Sequence, residues 1–255
     1  MLTFIGLGLY DEDSITRQGQ TAIAGADEVF AEFYTSRLGG ATVADLEAAH
    51  GVDIEVRDRA GVEQDPGPIL DAAREGTAAF LVAGDPMIST THVDLRLRAH
   101  ERGIDTRVIH GTTAQAAASS VTGLQNYRFG KATTLPFEDS HGGEGVPESV
   151  LDTVTENRER DLHTLVYLDI DREREAYMTG DTASARLVEA GLEGLAVVVG
   201  QAGSDDPTVA ADRLAALADR SFGPPLHLLV LPASLHPLER DALRALAGAP
   251  GEALS

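Results

Sequence analysis

Short apolar runs alternate with amphipathic stretches along the chain, a pattern typical of an α/β protein. The runs are rich in Val, Ile and Leu, as expected for buried and mostly parallel strands. Strands are predicted at residues 2–5, 28–33, 77–82, 106–109, 164–170, 195–199 and 226–231. Helices are predicted at residues 91–102, 112–120, 147–160, 182–190, 208–219 and 237–247. A further helix should begin near Ser14, whose hydroxyl is expected to cap the amide of Thr16 or Arg17.

The pattern changes near His110-Gly111, which predicts two domains, residues 1–111 and 112–255. The first alternates strands and helices, whereas the second, from residue 131 onward, has a more antiparallel character. The glycine-rich segment 141–145 is predicted to be a flexible loop. Two α/β domains with a ligand cleft between them are the expected architecture, with ligand-binding segments directly after strands.

Glycines mark the ends of three predicted strands. In Phe4-Ile5-Gly6-Leu7-Gly8-Leu9 they allow close approach of the backbone to a ligand or to a neighbouring segment. A dinucleotide-binding fingerprint is excluded, because Asp11 stands where the third glycine is needed. In His110-Gly111-Thr112-Thr113-Ala114, the glycine precedes a helix whose free amides can bind a carboxylate.

The second glycine-marked strand end, Gly84-Asp85-Pro86-Met87, is the strongest candidate for a ligand site. The Asp85 carboxylate can accept hydrogen bonds from sugar hydroxyls or an amine, but it can also close an Asx turn. The hydroxyls of Ser89-Thr90-Thr91-His92 have the same two alternatives, capping the next helix or contacting a ligand.

Composition narrows the functional classes. The 255 residues include 41 Asp and Glu against 20 Lys and Arg, a net charge of -21, and Lys131 is the only lysine. This charge argues against nucleic acid and anionic membranes as partners. The absence of cysteine excludes disulfides and thiol nucleophiles, and the eight histidines lack metal-binding spacing, so no metal is predicted. With neither a secretory signal nor a membrane-spanning run, a cytoplasmic protein is expected.

Several motifs, in order along the whole chain, resemble those of the diphthine synthases, a family within the tetrapyrrole methylase superfamily. They are Phe4-Ile5-Gly6-Leu7-Gly8-Leu9-Tyr10-Asp11-Glu12, Ala31-Glu32-Phe33-Tyr34-Thr35-Ser36, Gly84-Asp85-Pro86-Met87, Thr90-Thr91-His92, Gly123-Leu124-Gln125-Asn126-Tyr127-Arg128-Phe129-Gly130, Tyr177-Met178-Thr179 and Pro224-Pro225-Leu226-His227. The Gly-Asp-Pro element is shared with the wider superfamily, whereas the Glu-Phe-Tyr-Thr and Leu-Gln-Asn-Tyr-Arg-Phe-Gly stretches are more particular to the family.

The resemblance implies a homodimeric methyltransferase with the tetrapyrrole methylase-like fold, two α/β domains with the cofactor in the cleft. The implied cofactor is S-adenosyl-L-methionine, converted to S-adenosyl-L-homocysteine. The implied substrate is translation elongation factor 2, methylated on the amino group of a modified histidine in diphthamide biosynthesis. Carried onto this sequence, the cofactor-binding residues would be Leu9, Asp85, Ile88, Thr113, Ala114, Leu168, Gly200 and His227.

Two alternatives remain. A methyltransferase acting on a corrin or porphyrin precursor is expected to carry Gly-Pro-Gly-Asp-Pro after the first strand, where this chain has Gly-Leu-Gly-Leu-Tyr-Asp-Glu-Asp. A non-catalytic S-adenosylmethionine-binding module would keep the cofactor site without turnover.

The dispersed acidic residues and the scarcity of lysine are interpreted as adaptation to a salt-rich cytosol. At ~1 M salt the screening length falls to about 3 Å, which suppresses repulsion among the carboxylates. We therefore expect the urea midpoint of unfolding, and the activity, to fall as salt is removed. A midpoint that is unchanged between high and low salt would contradict this interpretation.

Overall fold

The computed structural model describes residues 1–141, 143, 145–171 and 174–254. The chain divides into two compact units, Met1–Thr113 and Ala114–Ser255. Each unit combines a five-stranded sheet with helices, so the predicted α/β fold class is confirmed. The predicted flexible loop at 141–145 includes Gly142 and Glu144, which lie outside the described residues.

A parallel sheet forms the centre of the first unit. Its strands are β1 (Leu2–Gly6), β2 (Glu28–Glu32), β3 (Glu55–Arg57), β4 (Ala78–Val82) and β5 (Thr106–Ile109). They lie in the order β3-β2-β4-β1-β5, and neighbouring strands pair in parallel. The carboxyl ends of all five strands therefore meet at one edge, where ligands bind in sheets of this kind.

Both faces of this sheet are covered, which explains why its strands read as continuous apolar runs. Phe4 and Phe80 pack edge to face on one side with their ring centroids 5.8 Å apart. Ile5 and Leu81 belong to a second cluster, because successive side chains of a strand point to opposite faces. The helices of the unit are α1 (Arg17–Ala24), α2 (Val43–His50), α3 (Arg59–Glu63), α4 (Gly67–Glu75) and α5 (Val93–Glu101).

The first helix is capped by a residue other than the predicted one. The side chain of Thr16 accepts a hydrogen bond from the backbone N–H of Gly19 at 3.0 Å, and α1 begins at the next residue, Arg17. Ser14 instead lies in a short 3-10 helix and donates its hydroxyl to the carbonyl of Leu9. The prediction of Ser14 as the cap was wrong, because its hydroxyl bonds backward along the chain.

The sheet of the second unit is mostly antiparallel, as predicted for this part of the chain. The strands of this unit are β6 (Thr133–Leu135), β7 (Thr164–Leu168), β8 (Ile170–Asp171), β9 (Ala176–Tyr177), β10 (Leu195–Gly200), β11 (Thr208–Arg213) and β12 (His227–Leu231). Five of them lie in the order β11-β10-β12-β7-β6, with only the β6–β7 pair parallel. The remaining two, β8 and β9, form a separate antiparallel pair.

The helices of the second unit flank its two apolar clusters. They are α6 (Ala114–Thr122), α7 (Glu138–His141), α8 (Glu148–Glu159), α9 (Gly180–Glu189), α10 (Leu214–Leu217) and α11 (Pro237–Leu246). Across the described ranges of both units, no helix has the length and apolar character needed to cross a membrane.

Two predicted elements of this unit were wrong in extent. Residues 208–219 were predicted as one helix, but the first six form β11, paired antiparallel with β10 so that Val209 lies opposite Val199. A short apolar run fits a strand or a helix equally well by periodicity, and here pairing with a neighbouring strand decides. The predicted strand 164–170 is interrupted at Asp169, whose carboxylate accepts the backbone N–H of Phe137 at 2.8 Å.

A buried carboxylate connects α11 to the segment that follows α6. Glu239 is fully buried and accepts hydrogen bonds from the backbone N–H groups of Gln125 (3.0 Å) and His236 (2.8 Å). It also accepts from Arg128 Nη1 at 2.7 Å and His163 Nε2 at 3.0 Å. Burial acts to raise the pKa of Glu239, but these hydrogen bonds hold it below its usual value. One anion thus organises four donors from three segments of the chain.

Replacing this carboxylate by an amide tests that role. Glu239→Gln removes the charge that faces Arg128 and directs an NH2 group toward groups that are themselves donors. We expect a loss of about 1.5–3 kcal/mol in the free energy of unfolding, the range for a hydrogen bond to a charged group. The urea midpoint measures it, with Glu156→Gln, an exposed residue of α8, as the matched control. Equal midpoints for the two variants would contradict the role assigned to Glu239.

Candidate functional site

Three glycine backbones touch at the carboxyl edge of the first sheet. Gly6 ends β1, Gly84 follows β4, and Gly111 follows β5. A Cβ added to Gly6 would lie 2.5 Å from both Gly111 N and Gly84 O, and one added to Gly111 would lie 2.2 Å from Gly84 O. Side-chain atoms do not approach backbone this closely, so Gly6 and Gly111 are required for contact between neighbouring strand ends. Of the two roles predicted for Gly6, approach to a ligand or to a neighbouring segment, the structure shows the second.

Gly84 differs from the other two because space is open beside it. Its backbone exchanges hydrogen bonds with Gly8, from Gly84 N–H to Gly8 O at 2.7 Å and from Gly8 N–H to Gly84 O at 3.2 Å. Its φ is +76°, a left-handed conformation that favours glycine. A Cβ built on Gly84 would meet only the carbonyl of Thr112, at 4.0 Å. The backbone is therefore open on one side of Gly84, at the Gly-Asp-Pro turn.

The side chain of Asp85 is buried in this turn and already has protein partners. One oxygen accepts the backbone N–H of Met87 at 2.9 Å, which closes an Asx turn. The other faces His110 Nδ1 at 2.7 Å and the N–H of Gly111 at 3.3 Å. The Asp85 residue is only 4% exposed. The carboxylate thus joins the strand end of β4 to that of β5, and the turn that it holds presents the open face of Gly84.

The hydroxyls that follow this turn also have partners within the protein. Thr90 donates to the carbonyl of Pro86 at 2.7 Å, and Thr91 donates to Glu63 Oε1 at 2.9 Å. Between them and the turn lies Ile88, a large apolar residue that is 44% exposed. An exposed isoleucine beside an open glycine face is suited to contact an apolar part of a ligand.

A buried acid and a buried histidine at the same edge were not among the predicted site residues. Glu32, the last residue of β2, is fully buried, and His92 is 1% exposed with its Nε2 3.4 Å from Glu32 Oε1. The signal in the sequence was a charged residue near the end of an apolar strand, since glutamate is rarely buried without a partner. The partner is 60 positions away along the chain and has no motif in common with it.

The second unit brings two of the predicted residues, Gly200 and His227, into contact at adjoining strands. A Cβ on Gly200 would lie 3.0 Å from Cδ2 of the His227 ring. The ring accepts the N–H of Gly180 at Nδ1 (3.0 Å) and faces the carbonyl of Pro224 at Nε2 (3.1 Å). Because a carbonyl only accepts, Nε2 carries the proton and both ring nitrogens are satisfied by the protein. Burial lowers the pKa of His227.

The remaining predicted residues lie as follows. Leu9 is half-buried, and its carbonyl accepts hydrogen bonds from Asp11 N–H and the Ser14 hydroxyl. Thr113 is the last residue of the first unit, and Ala114 begins α6. Leu168 ends β7 and is 8% exposed within the apolar cluster of its unit. The first unit thus gathers Leu9 and Asp85 around its glycine contact, with Ile88 exposed in the turn that follows, and the second gathers Gly200 and His227.

A sequence profile described as Tetrapyrrole (Corrin/Porphyrin) Methylases matches residues 1–218. The match covers most of the chain, and together with the two α/β units it defines the protein as a methylase of that class. Similarity to individual proteins narrows the class further. A Natronomonas pharaonis protein named diphthine synthase is 66% identical over 263 aligned residues, which cover 100% of this chain and 98% of the relative.

One more relative and one solved structure indicate the same family. A Halorubrum lacusprofundi protein of the same name is 67% identical over 99% of this chain and 98% of its own length. A crystal structure of diphthine synthase superposes with a TM-score of 0.92 at 36% identity, covering 99% of this chain and 98% of that one. The chain therefore belongs to the diphthine synthase family of methyltransferases.

Because both ring nitrogens of His227 have partners in the folded protein, we expect this residue to make the free energy of unfolding depend on pH. Its pKa in the folded protein lies below the ordinary value of about 6.5. As pH falls through the ordinary value, His227 takes up a proton in the unfolded chain but stays neutral in the folded one. The free energy of unfolding therefore decreases. His227→Asn, whose side-chain oxygen can accept the Gly180 N–H in place of Nδ1, should make this decrease less steep.

Urea midpoints at about pH 7.5 and 5.5, on either side of the ordinary histidine pKa, measure the slope. His100→Asn is the matched control, because His100 is exposed on α5 and should leave the slope of the unaltered protein in place. If His227→Asn and the unaltered protein lose the same stability between the two pH values, the assignment of His227 as a buried neutral imidazole is wrong.

Proposed function

We propose that the protein is an S-adenosylmethionine-dependent N-methyltransferase that methylates the amino group of the modified histidine of translation elongation factor 2. The observation that carries the proposal is full-length identity of 66% to a protein named diphthine synthase. The name specifies the product of the relative, and identity spread over the whole chain supports the same chemistry here. The proposed setting is a cytoplasmic homodimer.

The residues of the first unit fit a cofactor that carries a flat heterocycle. The open face of Gly84 admits a ligand at the carboxyl edge of the sheet, and Ile88 supplies apolar surface beside it. Asp85 is proposed to act through the turn that it fixes, since its oxygens already face Met87 N–H and His110. Leu9 and Thr113 are the other proposed contacts in this unit.

The proposed contacts of the second unit are Ala114, Leu168, Gly200 and His227. Because the Gly180 N–H and the Pro224 carbonyl occupy both ring nitrogens of His227, the proposal assigns this ring a packing role. Gly200 supports that role, since any side chain at this position would press on the ring.

When bound, the cofactor supplies an electrophilic methyl group on a sulfonium. The task of the protein is then to hold a neutral amine in line with that methyl group and to keep it there, and such alignment accounts for much of the acceleration in reactions of this type. Rigid strand ends suit the task. The glycine contact and the Asp85 carboxylate fix the Gly-Asp-Pro turn to the ends of β1 and β5.

Methylation of a corrin or porphyrin precursor is the second candidate, favoured by the description of the matching family profile. Against it stands the segment after β1, Gly-Leu-Gly-Leu-Tyr-Asp-Glu-Asp, which lacks the Gly-Pro-Gly-Asp-Pro expected of such enzymes. The third candidate is a module that binds S-adenosylmethionine but does not catalyse methyl transfer.

Methyl transfer from labelled S-adenosylmethionine separates the three candidates. The protein is incubated at high salt with elongation factor 2 that carries the unmethylated intermediate, and in parallel with a tetrapyrrole precursor. We expect label on the factor, and none on a factor whose target histidine has been replaced. Label on the tetrapyrrole alone would replace the proposal with the second candidate. Cofactor binding by calorimetry without label on either acceptor would replace it with the third.

A further inference from the structure

A carboxylate, an imidazole and a tyrosine hydroxyl form a chain at the carboxyl edge of the first sheet. Glu32 ends β2, Tyr34 lies two residues beyond it, and His92 lies just before α5. Glu32 and His92 are buried, whereas Tyr34 is partly exposed. The cofactor contacts proposed above involve none of the three, although His92 Nδ1 lies 3.0 Å from the carbonyl of Pro86 in the Gly-Asp-Pro turn.

The carboxylate of Glu32 is held in one orientation by its own strand end. Its Oε2 accepts the backbone N–H groups of Tyr34 at 2.9 Å and Thr35 at 3.0 Å. Its Oε1 accepts the hydroxyl of Thr35 and faces His92 Nε2 at 3.4 Å. A carboxylate fixed by these donors stands ready to offset positive charge on the imidazole.

The hydrogen-bond partners determine where the proton of His92 lies. The Pro86 carbonyl only accepts, so Nδ1 of His92 carries the hydrogen. Burial lowers the pKa of His92 although the charge of Glu32 opposes that shift, so the ring is neutral and Nε2 keeps its lone pair. The Tyr34 hydroxyl, 3.5 Å from Nε2, is the donor to it. That distance is long, as acid–base contacts often are before a substrate binds.

The surroundings keep the Tyr34 hydroxyl protonated. Burial, followed by the charges of Glu32 and Glu63, raises the pKa of Tyr34, and the guanidinium of Arg59 lies over its ring at 5.2 Å. The charge of Glu63 also acts to raise the pKa of His92, and Glu63 accepts a hydrogen bond from the hydroxyl of Thr91. The oxygen of Tyr34 also shares a side-chain hydrogen bond with Thr91. With its hydrogen directed to His92, this oxygen keeps one lone pair for an N–H donor.

We propose that Tyr34 receives a proton from the methyl-acceptor amine and passes its own proton to His92, while Glu32 faces the resulting imidazolium. This inference rests on the proposed function. An N–H bond of the substrate ammonium breaks as an O–H bond forms on Tyr34. The original O–H bond of Tyr34 breaks as an N–H bond forms at Nε2 of His92. The amine is left neutral, with the lone pair that methylation requires, and the imidazolium later releases its proton to water. Tyr34 and His92 are the acid–base groups, and Glu32 is a positioning residue.

The variant Tyr34→Phe keeps the ring and removes only the hydroxyl. Compared with the unaltered protein, we expect kcat/KM near pH 7 to fall by roughly 10²-fold, the lower range for general acid–base catalysis. The deficit should shrink as pH rises, because solvent then deprotonates the amine without help. Affinity for S-adenosylmethionine, measured by calorimetry, should stay within about twofold, since the hydroxyl that is removed is not among the proposed cofactor contacts. Tyr127→Phe, at a 78% exposed tyrosine of the second unit, is the matched control.

A second variant tests His92 as the acceptor of the Tyr34 proton. His92→Asn keeps an N–H donor near the position of Nδ1 but has no counterpart of Nε2, so it should show the same pH-dependent deficit. The double variant, which carries both Tyr34→Phe and His92→Asn, should have a kcat/KM no lower than that of either single variant. If His92→Asn does not fold, the pH profile of Tyr34→Phe decides alone.

The outcomes distinguish the proton relay, the transfer through Tyr34 to His92, from the proposed methyltransferase function on which it rests. Normal transfer by Tyr34→Phe, or a deficit that is constant with pH, would overturn the relay while the unaltered protein still methylates the factor. Full activity of His92→Asn beside a deficit in Tyr34→Phe would overturn the transfer to His92. Absence of methyl transfer by the unaltered protein would overturn the proposed function and the relay together.

Discussion

The first unit depends on the contact between glycine backbones at the carboxyl edge of its sheet. Gly6, Gly84 and Gly111 lie so close that a single Cβ on Gly6 or Gly111 would overlap neighbouring main-chain atoms. This contact brings the ends of β1, β4 and β5 together, so that the Asp85 carboxylate can reach from one strand end to the next. Because the strand ends are fixed by backbone contact, the open face beside Gly84 has a defined position, as alignment of two reactants requires.

Two buried carboxylates act in comparable ways, one in each unit. Glu32 accepts backbone N–H groups at its strand end and faces His92, and Glu239 accepts two backbone N–H groups and faces Arg128 and His163. A buried anion is costly unless donors surround it, so each of these residues fixes the segments that supply its donors. They differ in their setting. Glu239 is enclosed by satisfied groups, whereas the chain from Glu32 leads to the partly exposed Tyr34.

Periodicity and turn chemistry predicted most of the fold, because buried parallel strands such as 2–5 and 106–109 are continuous apolar runs with clear ends. Periodicity failed at residues 208–213, where pairing with a distant strand overrides a pattern that also suits a helix. In the candidate site, Asp85 was identified from its place after a strand, but its roles as ligand contact and turn residue could not be separated without its partners. The proximity of Glu32 and His92 depends on tertiary structure alone, and no spacing in the sequence encodes it.

The central claim is that the carboxyl edge of the first sheet, at the open face of Gly84, receives the methyl-donor cofactor. A crystal structure of the protein with S-adenosyl-L-homocysteine tests this most directly. The account predicts ligand density against Gly84 and Ile88, with the contact between Asp85 and His110 retained. Ligand bound elsewhere on the chain, with the Gly84 face left free, would contradict it.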